Sequence, residues 1–426
     1  MSRTATLVLA AVVLCILQTY ASAQEFLPKH ILFKGAPEYS EDELLAASGI
    51  KKGVTLSFEK MKGHFDKLFA TGVFESIYYQ FDGEDLIFSL KPAVTLYSIR
   101  LENLPVMPGK ELDAKLHERF PLYHGKVPSE GGMLESVRGV LDEILAAQGI
   151  KTSLTVTPYT DMKLRQVTAM SFSIVKPPVE IGEIHVASGT PALNSAAQQI
   201  LTEQTGSPYS IEGSSDQIVT NLGNYYRDNG YLEADIRATA QLPATVQEGV
   251  IGIPFTVSIL PGIQYKLSDI QLAPGLLVTS ADIDRQTNLH RGGIIDGVLL
   301  RHNWELISRA YHAKGYLKAE VHPAPSFDRE HGTAYFTVTV DPGPVYTMGT
   351  LRIDGVSDEL RTQMLAAWKL HAGAIMNENE ILNFFAIGDS NPTLKRLFAA
   401  VICNYLLTLN DNTHTADVVL RLEKRH

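Results

Sequence analysis

Thirteen histidines, a single cysteine beyond the N-terminal segment and many carboxylates are the side chains able to do chemistry here, and their spacing limits what that chemistry could be. His117 and His124 stand seven apart on a segment interrupted by Pro121, and His302 and His312 ten apart on one predicted helix. A metal site needs three or four such ligands in tight spacing, so both pairs are read as surface or packing residues. No His-Glu-x-x-His, Gly-x-Ser-x-Gly, phosphate-loop or Cys-x-x-Cys signature occurs. Arg291-Gly292-Gly293 shares only its glycines with a phosphate loop. Cys403 follows the apolar run Phe398-Ala399-Ala400-Val401-Ile402, the setting of a buried, inert thiol. The expectation is a protein that is not an enzyme, with no metal, no cofactor and no small-molecule substrate.

The elements that must position these residues are too many for one core. The chain has 426 residues, and domains usually run about 100 to 200. The 45% apolar content excludes a disordered chain. With 37 basic against 47 acidic side chains, the net charge of −10 argues against nucleic acid, whose nonspecific binding needs a basic surface. Arg3, the apolar run from Ala5 to Leu17 and the small residues Ala21-Ser22-Ala23 form a secretory signal over residues 1–23. That run falls short of the roughly 20 residues a membrane-spanning helix needs. Cleavage after Ala23 leaves Cys403 alone, so no internal disulfide forms and the exported chain rests on packed cores, which suits a periplasm.

Four landmarks then recur in order. The first is an alternating strand ended by a turn former, starting at Ile31, Ile99, Ile184, Ile270 and Leu351, spaced 68, 85, 86 and 81 residues. The runs read Ile31-Leu32-Phe33-Lys34-Gly35, then on through Ile184-His185-Val186-Ala187-Ser188 to Leu351-Arg352-Ile353-Asp354-Gly355. The second pairs a glycine with a helix-capping residue four positions on: Gly53 with Ser57, Gly125 with Ser129, Gly206 with Ser210, Gly292 with Asp296 and Gly373 with Asn377. The third is a glycine-apolar step, Gly72-Val73-Phe74, Gly149-Ile150, Gly230-Tyr231 and Gly315-Tyr316. The fourth is an alternating strand ended by Pro92, Pro177, Pro261 or Pro342.

The repeat implied is β-α-α-β-β, five times over, with an α+β fold in which each three-stranded mixed sheet is covered by two helices. Its limits fall at residues 26–92, 93–177, 178–261, 262–342 and 343–426. The fifth repeat diverges: its second helix is broken by Gly388-Asp389-Ser390-Asn391-Pro392, with strands expected at Tyr405 to Leu409 and Val418 to Leu422.

This array resembles the POTRA (polypeptide-transport-associated) domains of outer-membrane barrel assembly factors. The first repeat carries the family pattern most fully, in Phe33-Lys34-Gly35, Gly53-Val54-Thr55-Leu56-Ser57 and Gly72-Val73-Phe74. The resemblance covers roughly residues 26 to 424, and the membrane β-barrel that normally follows in the family is not expected here. It implies a periplasmic scaffold that binds partner subunits and unfolded client chains.

Strand physics leads to the same expectation. If the last strand of a repeat is central, the strand before it lies at the sheet edge, where an extended client can add through main-chain bonds. Each bond contributes roughly 0.5 to 1.5 kcal/mol net, so binding should be weak. The edges expected to bind are Tyr231, Leu232, Glu233, Ala234, Asp235, Ile236 and Arg237, and Tyr316, Leu317, Lys318, Ala319, Glu320, Val321 and His322. Expected partners are unfolded outer-membrane clients and a separate barrel or envelope subunit, with peripheral association at the inner face of the outer membrane. The alternative is a structural spacer bridging the outer membrane and other envelope components.

Overall fold

The computed structural model describes residues 25–187, 191, 194–286, 289–386 and 391–424. The secretory signal, Ser188 and residues 388–390 of the fifth repeat's helix break lie outside these. The first repeat comprises β1 (Glu25–Phe26), β2 (His30–Lys34), α1 (Glu41–Ser48), β3 (Leu56–Ser57), α2 (Phe58–Ala70), β4 (Phe74–Phe81) and β5 (Asp85–Pro92). The second has β6 (Tyr97–Leu101), α3 (Lys110–Arg119), β7 (Lys126–Val127), α4 (Gly132–Ala147), β8 (Leu154–Asp161) and β9 (Gln166–Ile174). The third has β10 (Val179–Val186), α5 (Ser195–Gln204), α6 (Ser214–Asp228), β11 (Asp235–Ala240), β12 (Thr245–Gln247) and β13 (Val250–Leu260). The fourth has β14 (Lys266–Leu272), α7 (Ser280–Gln286), α8 (Gly297–His312), β15 (Glu320–Asp328) and β16 (Thr333–Asp341). The fifth has β17 (Thr347–Asp354), α9 (Asp358–Ala367), α10 (Glu378–Ala386), α11 (Pro392–Ala400), β18 (Val401–Asn410) and β19 (Thr415–Lys424).

Five mixed sheets result, ordered β2-β5-β4, β7-β6-β9-β8, β10-β13-β11, β14-β16-β15 and β17-β19-β18. In each, the last long strand is central and runs parallel to the opening strand. Centrality follows from apolar content. Ile251, Ile253, Phe255, Val257 and Ile259 of β13 alternate down one face and are fully buried, so this strand gains most from neighbours on both sides. Two sheets exceed the expected three strands, because β7 pairs with β6 and β12 with β13.

The step after each inter-helix glycine explains much of the regularity. In the third to fifth repeats it bridges the start of the opening strand, at Glu180 with Pro208, Lys266 with Ile294 and Thr347 with Ile375. The short β1–β3 and β6–β7 ladders are the same feature in the first two. The capping expectation holds at Ser57 and Asp296, whose side chains accept from Lys60 N and from Val298 N and Leu299 N. It fails at Ser129 and Ser210. Helix α4 follows Gly131 with no side-chain cap, and α6 begins four residues after Ser210. The glycines at α4 have a steric cause: a Cβ on Gly132 would lie 2.8 Å from Ala70 O, and one on Gly131 3.0 Å from Gly72 Cα.

In the fifth repeat β18 runs Val401–Asn410, well beyond the expected Tyr405 to Leu409, because the apolar run before Cys403 continues the strand. Asn391 caps α11 and Pro392 opens it, so the predicted break separates two helices.

By density of contacts, one compact body takes the described chain up to Thr220 together with Arg237–Ser258. A second takes Asn221–Ile236 and the chain from Ile259 onward. No helix among the described residues is long and apolar enough to cross a membrane.

Candidate functional site

The Gly-Tyr steps of the third and fourth repeats were expected to begin free edge strands, and the structure corrects this. Residues Tyr231, Leu232, Glu233 and Ala234 form a turn, as do Tyr316, Leu317, Lys318 and Ala319, and the strands start only at Asp235 and Glu320. The cause is helix termination. Gly230 (φ 85°) and Gly315 (φ 87°) take the left-handed conformation that ends α6 and α8. Tyr231 N and Tyr316 N then donate back to Tyr226 O and Tyr311 O, at 2.9 and 3.1 Å. Ala234 N and Ala319 N close the turn onto Tyr231 O and Tyr316 O.

These turns are joints to the following repeat. Gly230 O accepts from Tyr265 N at 2.9 Å, and Gly315 O from Tyr346 N at 2.8 Å. Leu232 packs against the buried cluster of the fourth repeat around Tyr265 and Ile295, and Leu317 against that of the fifth around Tyr346 and Met376. The next residue makes an ion pair of opposite sense in the two joints. Glu233 meets Arg329, with Arg329 Nη2 2.5 Å from Oε1, while Lys318 Nζ lies 2.7 Å from Asp411 Oδ1. In each joint a fully buried tyrosine donates its hydroxyl to the same carboxylate, Tyr265 to Glu233 and Tyr346 to Asp411. Arg329, ahead of Tyr265, holds Glu233 below the usual carboxylate range, and Lys318, ahead of Tyr346, does so for Asp411.

Four of the residues expected to bind clients at each site therefore serve a docked joint. The tetrads Gly230-Tyr231-Leu232-Glu233 and Gly315-Tyr316-Leu317-Lys318 carried the signal, since a sign reversal at one repeat offset points to matched partners. Those partners, Arg329 and Asp411, lie over 90 residues away and escaped sequence reasoning. The other first-to-second joint uses the same glycine: a Cβ on Gly72 would lie 2.5 Å from Glu130 O. The second-to-third joint differs. Gly149 meets nothing within 4 Å, and the contact is made by Ile211 N to Glu102 O at 2.8 Å and by Arg100 with Glu212 at 2.7 Å. Leu317→Ala is expected to lower the fifth repeat's stability by about 1–2 kcal/mol, a half-buried share of the usual Leu→Ala cost. Fluorescence of Trp368, within that repeat's core, reports it during denaturation.

A second contact closes the last joint. His312 Nδ1, at the end of α8, lies 2.6 Å from Glu378 Oε2 at the start of α10, and Tyr405 donates to Glu378 Oε1 at 2.8 Å. The hydrogen bond from His312, outweighing desolvation and helped by Tyr405, lowers the Glu378 pKa below its ordinary 4.5. A carboxyl lowered on folding stabilises fully above its unfolded pKa and loses that contribution as pH falls through the folded value. Chemical denaturation between pH 5 and 3 should therefore show the wild type losing more stability than Glu378→Gln, which carries no titrating group there. Equal losses would refute the linkage.

The remaining expected edge residues lie on strands. Asp235, Ile236 and Arg237 open β11, and Glu320, Val321 and His322 open β15, opposite Asp341, Val340 and Thr339 of β16. Both are edge strands. β15, however, carries Pro323 and Pro325, two apart and so on one side of the strand. Its register with β16 is unbroken from Glu320 to Asp328, so the prolines turn their missing donors outward, where they blunt that edge. Pro158 blunts β8, and a bulge between Phe74 and Ser76 interrupts β4.

The edge of β18 is different. Ten residues, free of proline and of register shifts, pair with β19 from Val401 to Asn410, and no second neighbour lies beyond β18 among the described residues. Val401, Cys403, Tyr405, Leu407 and Leu409 turn toward the core, while Ile402 and Leu406 are 47% and 50% exposed. A long, flat, partly apolar edge of this kind is a ready template for another strand. Reading the fifth repeat's strand too short hid this edge from the sequence.

Residues 265–343, the fourth repeat, match the POTRA family model, described as a surface antigen variable number repeat. The outer membrane protein assembly factor BamA of Buchnera aphidicola is 20% identical over 342 residues, covering 74% of this chain. The chain spans about half the length of that relative, 52%. The crystal structure of POTRA domains 3–5 of Haemophilus influenzae BamA is 19% identical with a TM-score of 0.45, and covers 59% of this chain and 98% of that one. POTRA domains 1–3 of Omp85 from Anabaena are likewise 19% identical, with a TM-score of 0.23 over 59% of this chain and 98% of that one. With a POTRA match over the fourth repeat and mixed sheets whose last strand is central, the chain is similar to the POTRA array of BamA.

Proposed function

We propose that this chain is an exported, non-enzymatic scaffold in outer-membrane protein assembly. It stands in the periplasm at the inner face of the outer membrane and receives polypeptides by strand addition. Its repeats are the segments 26–92, 93–177, 178–261, 262–342 and 343–426. The observation that carries the reading is the β18 edge, ten residues of strand with neither proline nor register shift, where the edges of β15 and β8 carry prolines and that of β4 a bulge. Every second residue of β18 turns an N–H and a C=O outward, and Ile402 and Leu406 offer apolar contact to a client that alternates in the manner of a barrel strand.

Partners are unfolded outer-membrane clients and a separate barrel or envelope subunit. With each main-chain bond contributing roughly 0.5 to 1.5 kcal/mol and ordering of the client opposing it, affinity should be micromolar to millimolar. Titration of the mature chain with synthetic barrel-strand peptides, followed by backbone amide shifts, tests this. Shifts centred on Val401 to Asn410 support it, and no binding at about 1 mM peptide leaves the chain as a spacer.

A further inference from the structure

Three potential ligands that the sequence holds far apart converge between the first two repeats. Glu43 lies in the first turn of α1, His117 near the end of α3 and His124 just beyond it. His124 Nε2 is 2.8 Å from Glu43 Oε1, and His117 Nε2 is 3.7 Å from the same oxygen. All three ligand atoms lie within 4.8 Å of one another. Zinc bonds of 2.0–2.2 Å in tetrahedral geometry place neighbouring ligand atoms about 3.3 Å apart, and the two measured separations from Glu43 bracket that value.

The surroundings orient the set. His117 Nδ1 lies 3.0 Å from Tyr123 O, which can only accept, so Nδ1 carries the proton and Nε2 of the neutral ring presents a lone pair. That lone pair faces Glu43 Oε1, so two acceptors confront each other with nothing to bridge them but a cation or a proton. An imidazole whose far nitrogen donates to a carbonyl is the usual outer support of a metal-bound histidine. Glu43 is held as well: Ser40 N donates to its other oxygen, Oε2, at 2.7 Å in a capping box, leaving Oε1 for the histidines. Tyr39, largely buried, packs its ring 5.1 Å from that of His124.

We propose that Glu43, His117 and His124 form a binding site for a divalent transition cation, with zinc the best fit to two imidazoles, one carboxylate and an open fourth position. The cation ties α1 of the first repeat to the loop after α3 of the second and so fixes that joint from outside the glycine contact at Gly72. This reverses the expectation that His117 and His124 serve only packing, and it is independent of client binding.

The test is calorimetric titration of the untagged mature chain with zinc chloride at neutral pH. Wild type should take up one equivalent that Glu43→Gln and the double variant His117→Ala/His124→Ala weaken by at least about 100-fold. Glutamine at 43 can keep the capping box, so loss of zinc there does not reflect loss of the helix. Cobalt in the same site should give the intense visible absorption of four-coordinate Co2+ in wild type and not in the double variant. Zinc uptake equal in wild type and both variants would overturn the proposal, as would uptake in wild type no tighter than about 1 mM, the result expected if a proton alone bridges the pair.

Discussion

Gly355→Ala is expected to destabilise the fifth repeat by about 2–5 kcal/mol, a backbone cost and a steric cost acting together. Gly355 ends β17 with φ 86°, a conformation that costs a residue with a side chain about 1–2 kcal/mol. A Cβ there would also run into Leu422 O on the central strand β19, and overpacking of that kind adds about 1–3 kcal/mol. The carbonyl cannot withdraw without breaking the sheet at its centre. Gly373→Ala is the control in the same repeat. Its φ of 83° imposes a similar backbone cost, but a Cβ there meets nothing within 4 Å, so about 1–2 kcal/mol is expected. Denaturation monitored at Trp368 compares the two, and equal losses would show that Leu422 O gives way. Gly35, which ends β2 against Leu90 O, should behave as Gly355 does.

The second large effect concerns the β18 edge. Adjacent residues of a strand turn their N–H groups to opposite sides, so of Leu406 and Leu407 one donates toward β19 and the other outward. Leu406→Pro and Leu407→Pro should therefore separate cleanly. The proline that removes the ladder donor should cost the fifth repeat about 3 kcal/mol or more. The outward proline keeps the ladder, so it should cost only the packing of the leucine it replaces, and it should weaken peptide binding about tenfold, the loss of one main-chain bond and the steric block beside it. Binding unaffected by both variants would place clients elsewhere. The reverse experiment uses β15, where Pro323→Val with Pro325→Val restores outward donors and should open an edge that wild type keeps closed.

Much of this architecture was legible because it is written in short-range patterns. Alternation marked the opening strands of the repeats and the last strands of the first four, and glycine followed by Ser57 or Asp296 marked helices α2 and α8. The position of each last strand at its sheet centre followed from its apolar face. The capping reading failed at Ser129 because the obstacle, Ala70 O beside Gly132, comes from the preceding repeat. The strand reading failed at Tyr231 and Tyr316 because a tetrad with strand-like alternation was in fact a helix end followed by a turn. Its tyrosine packs on its own helix, at Tyr226 or Tyr311, while its leucine packs on the next repeat.

By itself the sequence determined the repeated β-α-α-β-β order, the α+β class and the absence of the familiar catalytic signatures. Those properties rest on spacings of two to four residues, within which side-chain alternation and backbone capping act. Only the tertiary structure decided which turns are docked and which edge is left open. It alone paired Glu233 with Arg329 and Lys318 with Asp411, and brought His117 and His124 to Glu43 across more than 70 residues. Contacts of that range depend on how one folded repeat lies against the next, and no local pattern in the chain encodes that distance.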